Sequence, residues 1–160
     1  MLITNALSSC DSVTQREDEL PMHIGLIEYD PKSDTLNFKV CHEDFLYPHF
    51  HHLDVSYAGE KPAMVNKYKT LFKPSKKLEN GYITIRFIVN CEGEAGRFRV
   101  IEMDKNYKLK NFSNELVIQL YEITRSLEGW DVLERDNQSY DYVRYITFKI
   151  QNGEIKDIMP

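Results

Sequence analysis

Three cysteines, Cys10, Cys41 and Cys91, and a run of histidines are the residues whose chemistry could define this 160-residue chain. His42, His49, His51 and His52 fall within 11 positions, beside Glu43, Asp44 and Asp54. In a strand His49 and His51 would share one face, as two imidazole ligands of a metal must. No zinc-type spacing recurs and no second cluster completes a site, so no metal is expected. Nor does the chain contain a nucleophile elbow, a P-loop or a GxGxxG. Cys41 and His42 are neighbours, and adjacent strand residues point to opposite faces, so they make no thiolate–imidazole pair. Neither an enzyme nor a cofactor is expected.

Cys10 suggests a different chemistry. Leu7-Ser8-Ser9-Cys10 has the form of a bacterial lipobox, and lipidation at Cys10 would anchor the chain to a membrane. The polar stretch Asp11 to Glu19 suits a solvated tether. A signal peptide needs a basic start and an apolar core of about 7–15 residues. Only six residues precede Leu7 and none is basic, so the lipobox reading requires a true start further upstream. The expected location is then the periplasm, on a lipid tether, and the cytoplasm if Met1 is the true start. A lipidated Cys10 leaves Cys41 and Cys91, each ending a strand-like run (TLNFKVC and YITIRFIVNC). They are either a disulfide or two reduced core thiols.

These residues must be positioned by one domain. The chain is 42% hydrophobic with 7 glycines and 6 prolines, a composition that folds around a single core. Its net charge of -5 argues against a nucleic-acid partner. No apolar run approaches the roughly 18 residues of a membrane span. The charge is uneven. Residues 1–60 carry 11 acids and 3 bases, whereas residues 61–80 carry 1 acid and 6 lysines. Lys61, Lys67, Lys69, Lys73, Lys76 and Lys77 read as the solvated face of a helix and its exit loop.

Residues 1–20 form the tether, and residues 21–56 are expected to hold a β-hairpin (His23 to Cys41, reversed at DPKSD) and an aromatic, His-rich loop. From residue 57 to 160 the periodicities alternate. Met64, Tyr68, Leu71 and Phe72 make a helical stripe between Gly59 and Pro74. Ile83, Ile85, Phe87, Val89 and Cys91 alternate as one face of a strand, and RFRVIEM returns after a glycine-rich turn. Ser113 starts a second helix with Leu116, Leu120, Ile123 and Leu127 on one side. Tyr142 to Ile150 is a β-branched and aromatic strand, and Asn152-Gly153 turns it into a short closing strand, Glu154 to Ile158. The fold class is α+β, an antiparallel sheet in α-β-β-α-β order with two helices on one face and an N-terminal hairpin.

The run FIVNCEGEAGRFRVIE, a helix reaching Leu127-Glu128-Gly129-Trp130, and then YITFKIQNGEI resemble the C-terminal domain of TonB. The similarity covers Tyr57 to Ile158 and rests on the order and spacing of its motifs. Trp130 is followed by Asp131, Val132 and Leu133 where the family often has proline, and Ala58-Gly59 stands where many members have two glycines. The 160 residues include no match to the family's membrane helix or Pro-rich spacer, so the resemblance does not imply energy transduction.

It implies a binding module of the cell envelope. In this family the final strand resembles a docking edge for extended segments of outer-membrane receptors. Carried over, that edge is Arg144, Ile146, Phe148 and Ile150 on one face and Tyr145 and Lys149 on the other. The expected partner is an outer-membrane receptor or transport-complex protein paired by strand addition. The alternative is a structural protein that pairs with itself as a homodimer through the same edge.

Overall fold

The computed structural model describes residues 27–48 and 56–159. Helix α1 (Glu60–Leu71) is followed by strands β1 (Gly81–Val89) and β2 (Ala95–Met103) and by helix α2 (Asn114–Arg125). Then come β3 (Leu133–Arg135), β4 (Gln138–Tyr140), β5 (Tyr142–Gln151) and β6 (Glu154–Met159). The protein is α+β, with a four-stranded antiparallel sheet in the order β2-β1-β5-β6.

Strand alternation decides which face the helices cover. Ile83, Ile85, Phe87 and Val89 of β1 are fully buried with Tyr142, Ile146, Phe148 and Ile150 of β5. They meet Met64 and Tyr68 of α1 and Leu116, Leu120 and Ile123 of α2. The stripe read for α2 is therefore its inner face, whereas in α1 only Met64 and Tyr68 of the expected stripe are buried and Leu71 is exposed, with Val65 packing on the core instead. Tyr68 stacks edge-on against Phe148, with ring centroids 4.8 Å apart. Its hydroxyl lies 2.8 Å from Thr124 Oγ1, which in turn donates to the Leu120 carbonyl. The buried phenol is thus satisfied, and burial pushes its pKa up.

The sequence reading assigned no strand to residues 131–141. Asp136 and Asn137 both take positive φ, 52° and 60°, the paired conformation of a tight two-residue hairpin, and they join β3 to β4. Asp and Asn tolerate this region because their short polar side chains can bond locally.

Residues 27–48 cover the second face of the sheet. From Ile27 to Cys41, the described part of the expected hairpin, the chain makes turns and no strand. The reason is that its polar groups find partners elsewhere. Asp30 and Asp34 close the DPKSD turn on itself: the Asp34 amide donates to the Asp30 carbonyl, and the Asp30 amide donates to the Asp34 carboxylate at 2.8 Å. The flanking backbone then bonds to side chains of the sheet. Asn90 donates to the Lys39 carbonyl, Arg99 to the Glu28 carbonyl and Arg97 to the Ile27 carbonyl. Apolar contact completes the attachment, with Ile27, Phe38, Val40 and Leu46 on Ile88 and Val143. Gly96 belongs to this packing, since an added Cβ would sit 2.2 Å from the Phe38 ring.

A β-bulge aims the arginines that hold this segment. Two residues, Arg97 and Phe98, oppose Phe87, and Arg97 has φ 51°. Phe98 turns to the helices, against Phe87 and Tyr121, while buried Arg97 pairs with Glu43 across the other face. Arg99 forms a two-pronged pair with Asp34, each nitrogen 2.7 Å from its oxygen. Those bonds hold the Asp34 carboxyl below its ordinary value of 3.8. A lowered native pKa adds stability that is present above the unfolded value and disappears as pH falls through the folded one. Arg99→Gln should therefore destabilise the protein near neutrality and flatten its loss of stability below about pH 4. Urea midpoints of both proteins between pH 2 and 7 test this, and parallel curves would contradict it.

Candidate functional site

The resemblance placed the partner-binding edge at Arg144 to Ile150, and in the structure β6 covers that strand from Thr147 onward. These residues lie on β5, an interior strand paired with β1 from Tyr142 to Ile150 and with β6 from Thr147 to Gln151. Ile146, Phe148 and Ile150 are core residues. Arg144 reaches over the Trp130 ring at 5.9 Å, Tyr145 is half-buried on the second face, and Lys149 is exposed. The physical cause is the turn at Asn152 and Gly153, with φ 53° and 77°, which folds β6 back onto β5 and takes the outer position. Asn152-Gly153 was the legible signal for that strand. What it implied for the edge became clear only once the pairing partner was known.

The sheet edge at this side is β6. Its charged residues Glu154, Lys156 and Asp157 are exposed, while Ile158 is buried and Ile155 half-buried. A register shift between Lys149 and Ile150 interrupts the ladder, and the Ile158 amide donates to its neighbour's Asp157 carboxylate at 2.8 Å. Charge, an irregular register and a capped amide are devices that keep an edge from pairing indiscriminately.

Beside that edge runs an open groove of about 570 Å³ between β6 and α1. Val65, Tyr68, Phe72, Ile155 and Ile158 give it an apolar floor, and Lys61 and Lys69 stand on its helical wall. An extended segment added to β6 would place alternate side chains into this groove. Sequence reasoning found Tyr68 and Phe72 through the helical stripe. Val65 and the lysines gain significance only because α1 lies along β6.

The cysteines form a second constellation. Cys41 and Cys91 are joined by a disulfide, with Cα atoms 6.0 Å apart across a sequence separation of 50. Asp141, fully buried, lies beneath it. Its Oδ1 accepts the amides of Cys41 at 3.1 Å and Cys91 at 2.9 Å, and its Oδ2 accepts the amide of His42 at 2.6 Å. The His42 ring approaches the same carboxylate, Nδ1 to Oδ2 3.5 Å, and packs against Tyr140. One carboxylate thus gathers the ends of β1 and of the N-terminal segment at the start of β5. No sequence pattern marked Asp141, because its three donors come from residues 50 to 100 positions away.

Cys41, Cys91 and Asp141 are the one group of potential metal ligands among the described residues. With both sulfurs in a disulfide, no thiolate is available to a metal there. Cys10, His49, His51, His52 and Asp54 lie outside the described residues. No helix among the described residues is long and apolar enough to cross a membrane. No family model matches the chain, nor does any curated protein or solved structure.

Proposed function

We propose that this protein is a non-enzymatic binding module of the cell envelope, similar in its job to a TonB C-terminal domain, which docks an extended segment of an outer-membrane receptor or transport protein by strand addition. The observation that carries this reading is the open groove between edge strand β6 and α1. Main-chain pairing along β6 would supply affinity, and side chains entering between Phe72 and Ile155 would supply selection. Asp157 acts as a gate, because an incoming carbonyl must displace its carboxylate from the Ile158 amide. A lipid tether at Cys10 would hold the module at the membrane that carries its partner.

A photo-crosslinking residue introduced at Lys156, on the edge, and at Glu122, on the exposed side of α2, tests the proposal in the native envelope. The expected result is a covalent adduct with one segment of an outer-membrane protein at position 156 alone, increased several-fold by Asp157→Ala. Adducts only between copies of the bait at 156 would replace receptor docking with self-pairing. Equal adducts at both positions would remove β6 as the site.

A further inference from the structure

The sheet brings together lysines that are far apart in the chain. Because β1 begins at Gly81, β2 ends at Met103, β5 ends at Gln151 and β6 begins at Glu154, the segments 72–80 and 104–113 emerge at the same end. They are stitched to each other. Lys110 donates to the Asn80 carbonyl at 3.0 Å, and the Ser113 amide donates to Glu79 at 2.8 Å. This end carries exposed Lys73, Lys76 and Lys77 from the first segment and exposed Lys105 and Lys108 from the second.

Two of its own acids are engaged in local hydrogen bonds. Asp104 accepts the amides of Asn106 and Lys108, and Glu79 accepts the amide and hydroxyl of Ser113. With Glu115 and Glu154 nearby they make four acids, which Lys110 and the five exposed lysines still outnumber. The opposite end has the reverse sign. Segments 90–94 and 126–141 carry Glu92, Glu94, Glu128, Asp131, Glu134, Asp136 and buried Asp141 against Arg135. The domain is therefore electrically polar along its strands.

Large apolar side chains stand among the lysines of the basic end. Leu78 is 77% exposed, Tyr107 62% and Leu109 43%. Tyr107 is held outward by a φ of 60° and by stacking on Tyr82, with ring centroids 5.2 Å apart. A solvated lysine face does not need leucines at its tips. Lysines ringing protruding apolar and tyrosyl side chains do match an anionic lipid interface, where charge draws the protein in and the apolar tips enter the acyl boundary.

We infer that this end, built by Lys73, Lys76, Lys77, Lys105 and Lys108 around Leu78 and Leu109, is a docking face for an anionic phospholipid surface. It adjoins the end of the groove along β6 at Pro74 and Glu154 but does not depend on the strand-addition reading. Charge complementarity names the occupant, and the exposed leucines favour lipid over a soluble acidic protein.

The test is sedimentation of the full chain, carrying Cys10→Ser so that no acyl group anchors it, with vesicles of phosphatidylcholine alone or mixed with phosphatidylglycerol. Binding is expected only with phosphatidylglycerol and should weaken as salt is raised. The variant Lys76→Gln/Lys77→Gln/Lys105→Gln/Lys108→Gln should lose roughly fivefold per lysine, more than a hundredfold together. Leu78→Ser/Leu109→Ser should bind several-fold more weakly while keeping its salt dependence. All six positions are at the surface, and unchanged urea midpoints would show that both variants fold. Absence of binding to the anionic vesicles, or equal binding to both kinds, would overturn the inference. So would tight binding to poly-glutamate that the leucine changes leave intact, which would assign the face to an acidic protein.

Discussion

Replacing both cysteines of the Cys41–Cys91 pair with alanine is expected to lower the stability of the folded protein by about 4 kcal/mol. The figure follows from the closed loop, since the bond joins residues separated by 50 positions and removes that loop's freedom from the unfolded chain. For a domain of this size, the melting temperature should fall by roughly 10 °C. Addition of a reductant to the unaltered protein should reproduce the shift, because Cys41 is exposed and Cys91 partly so. The effect should reach the whole domain. The bond ties residues 27–48, which cover Ile88 and Val143, to the end of β1 in the middle of the sheet. Urea unfolding followed by tryptophan fluorescence is an informative probe, because Trp130 is packed between Phe87 and Tyr57 in the other layer. A midpoint unchanged by reduction would mean that the polar contacts of the segment suffice without the bond.

Asp141→Ala should have a comparable effect, about 3–5 kcal/mol. The carboxylate is completely buried and accepts three backbone amides, so its removal deprives the amides of Cys41, His42 and Cys91 of their acceptor. Hydrogen bonds to a charged group contribute roughly 1.5–3 kcal/mol each, and a buried donor without a partner costs about 1–3 kcal/mol. Bonds to one group are not independent, so the total lies below the simple sum. Asp141→Asn should cost less than the alanine change, because its carbonyl oxygen still accepts while its NH2 faces donors. The disulfide joins the N-terminal segment to the end of β1, and the carboxylate ties those same two segments to β5, so their effects should couple. In a double-mutant cycle, Asp141→Ala should cost measurably less in the cysteine-free protein than in the oxidised one, and strict additivity would refute that coupling.

The paired roles of Asp141 and the disulfide also explain how much of this protein could be read before its fold was known. Local periodicity announced the layers. Met64 and Tyr68 in α1, the alternation of β1 and the Leu116, Leu120 and Ile123 stripe of α2 are the side chains that make the core. Such patterns are legible because burial imposes a period of 3.6 on a helix and 2 on a half-buried strand. The α+β class follows from them. The pairing of Cys41 with Cys91 remained one of two alternatives in the sequence, and the structure joins them.

Long-range pairing was not legible. Residues Arg144 to Ile150 have the composition of a strand, but composition does not say whether a strand lies at an edge or inside a sheet. That depends on β6, which pairs with Thr147 to Gln151 of β5 and itself becomes the edge there. Residues 27–41 looked like a hairpin because their turn is real, yet their backbone bonds to Asn90, Arg97 and Arg99 of the sheet rather than to itself. Asp141 carried no motif because its partners meet it only after β1, β5 and the N-terminal segment converge.

The same division governs the charges. The sequence by itself determined that lysines crowd residues 61–80, that two helices and several strands must share a core, and that no apolar run approaches the roughly 18 residues of a membrane-spanning helix. Tertiary structure alone decided that Lys73, Lys76, Lys77 and Leu78 emerge at the same end of the sheet as Lys105, Lys108 and Leu109, and that α1 borders an edge strand. Burial is dictated by side chains acting locally along one element. Edges, ends and polarity arise from the order in which elements are laid side by side, which hydrogen bonds between distant segments determine.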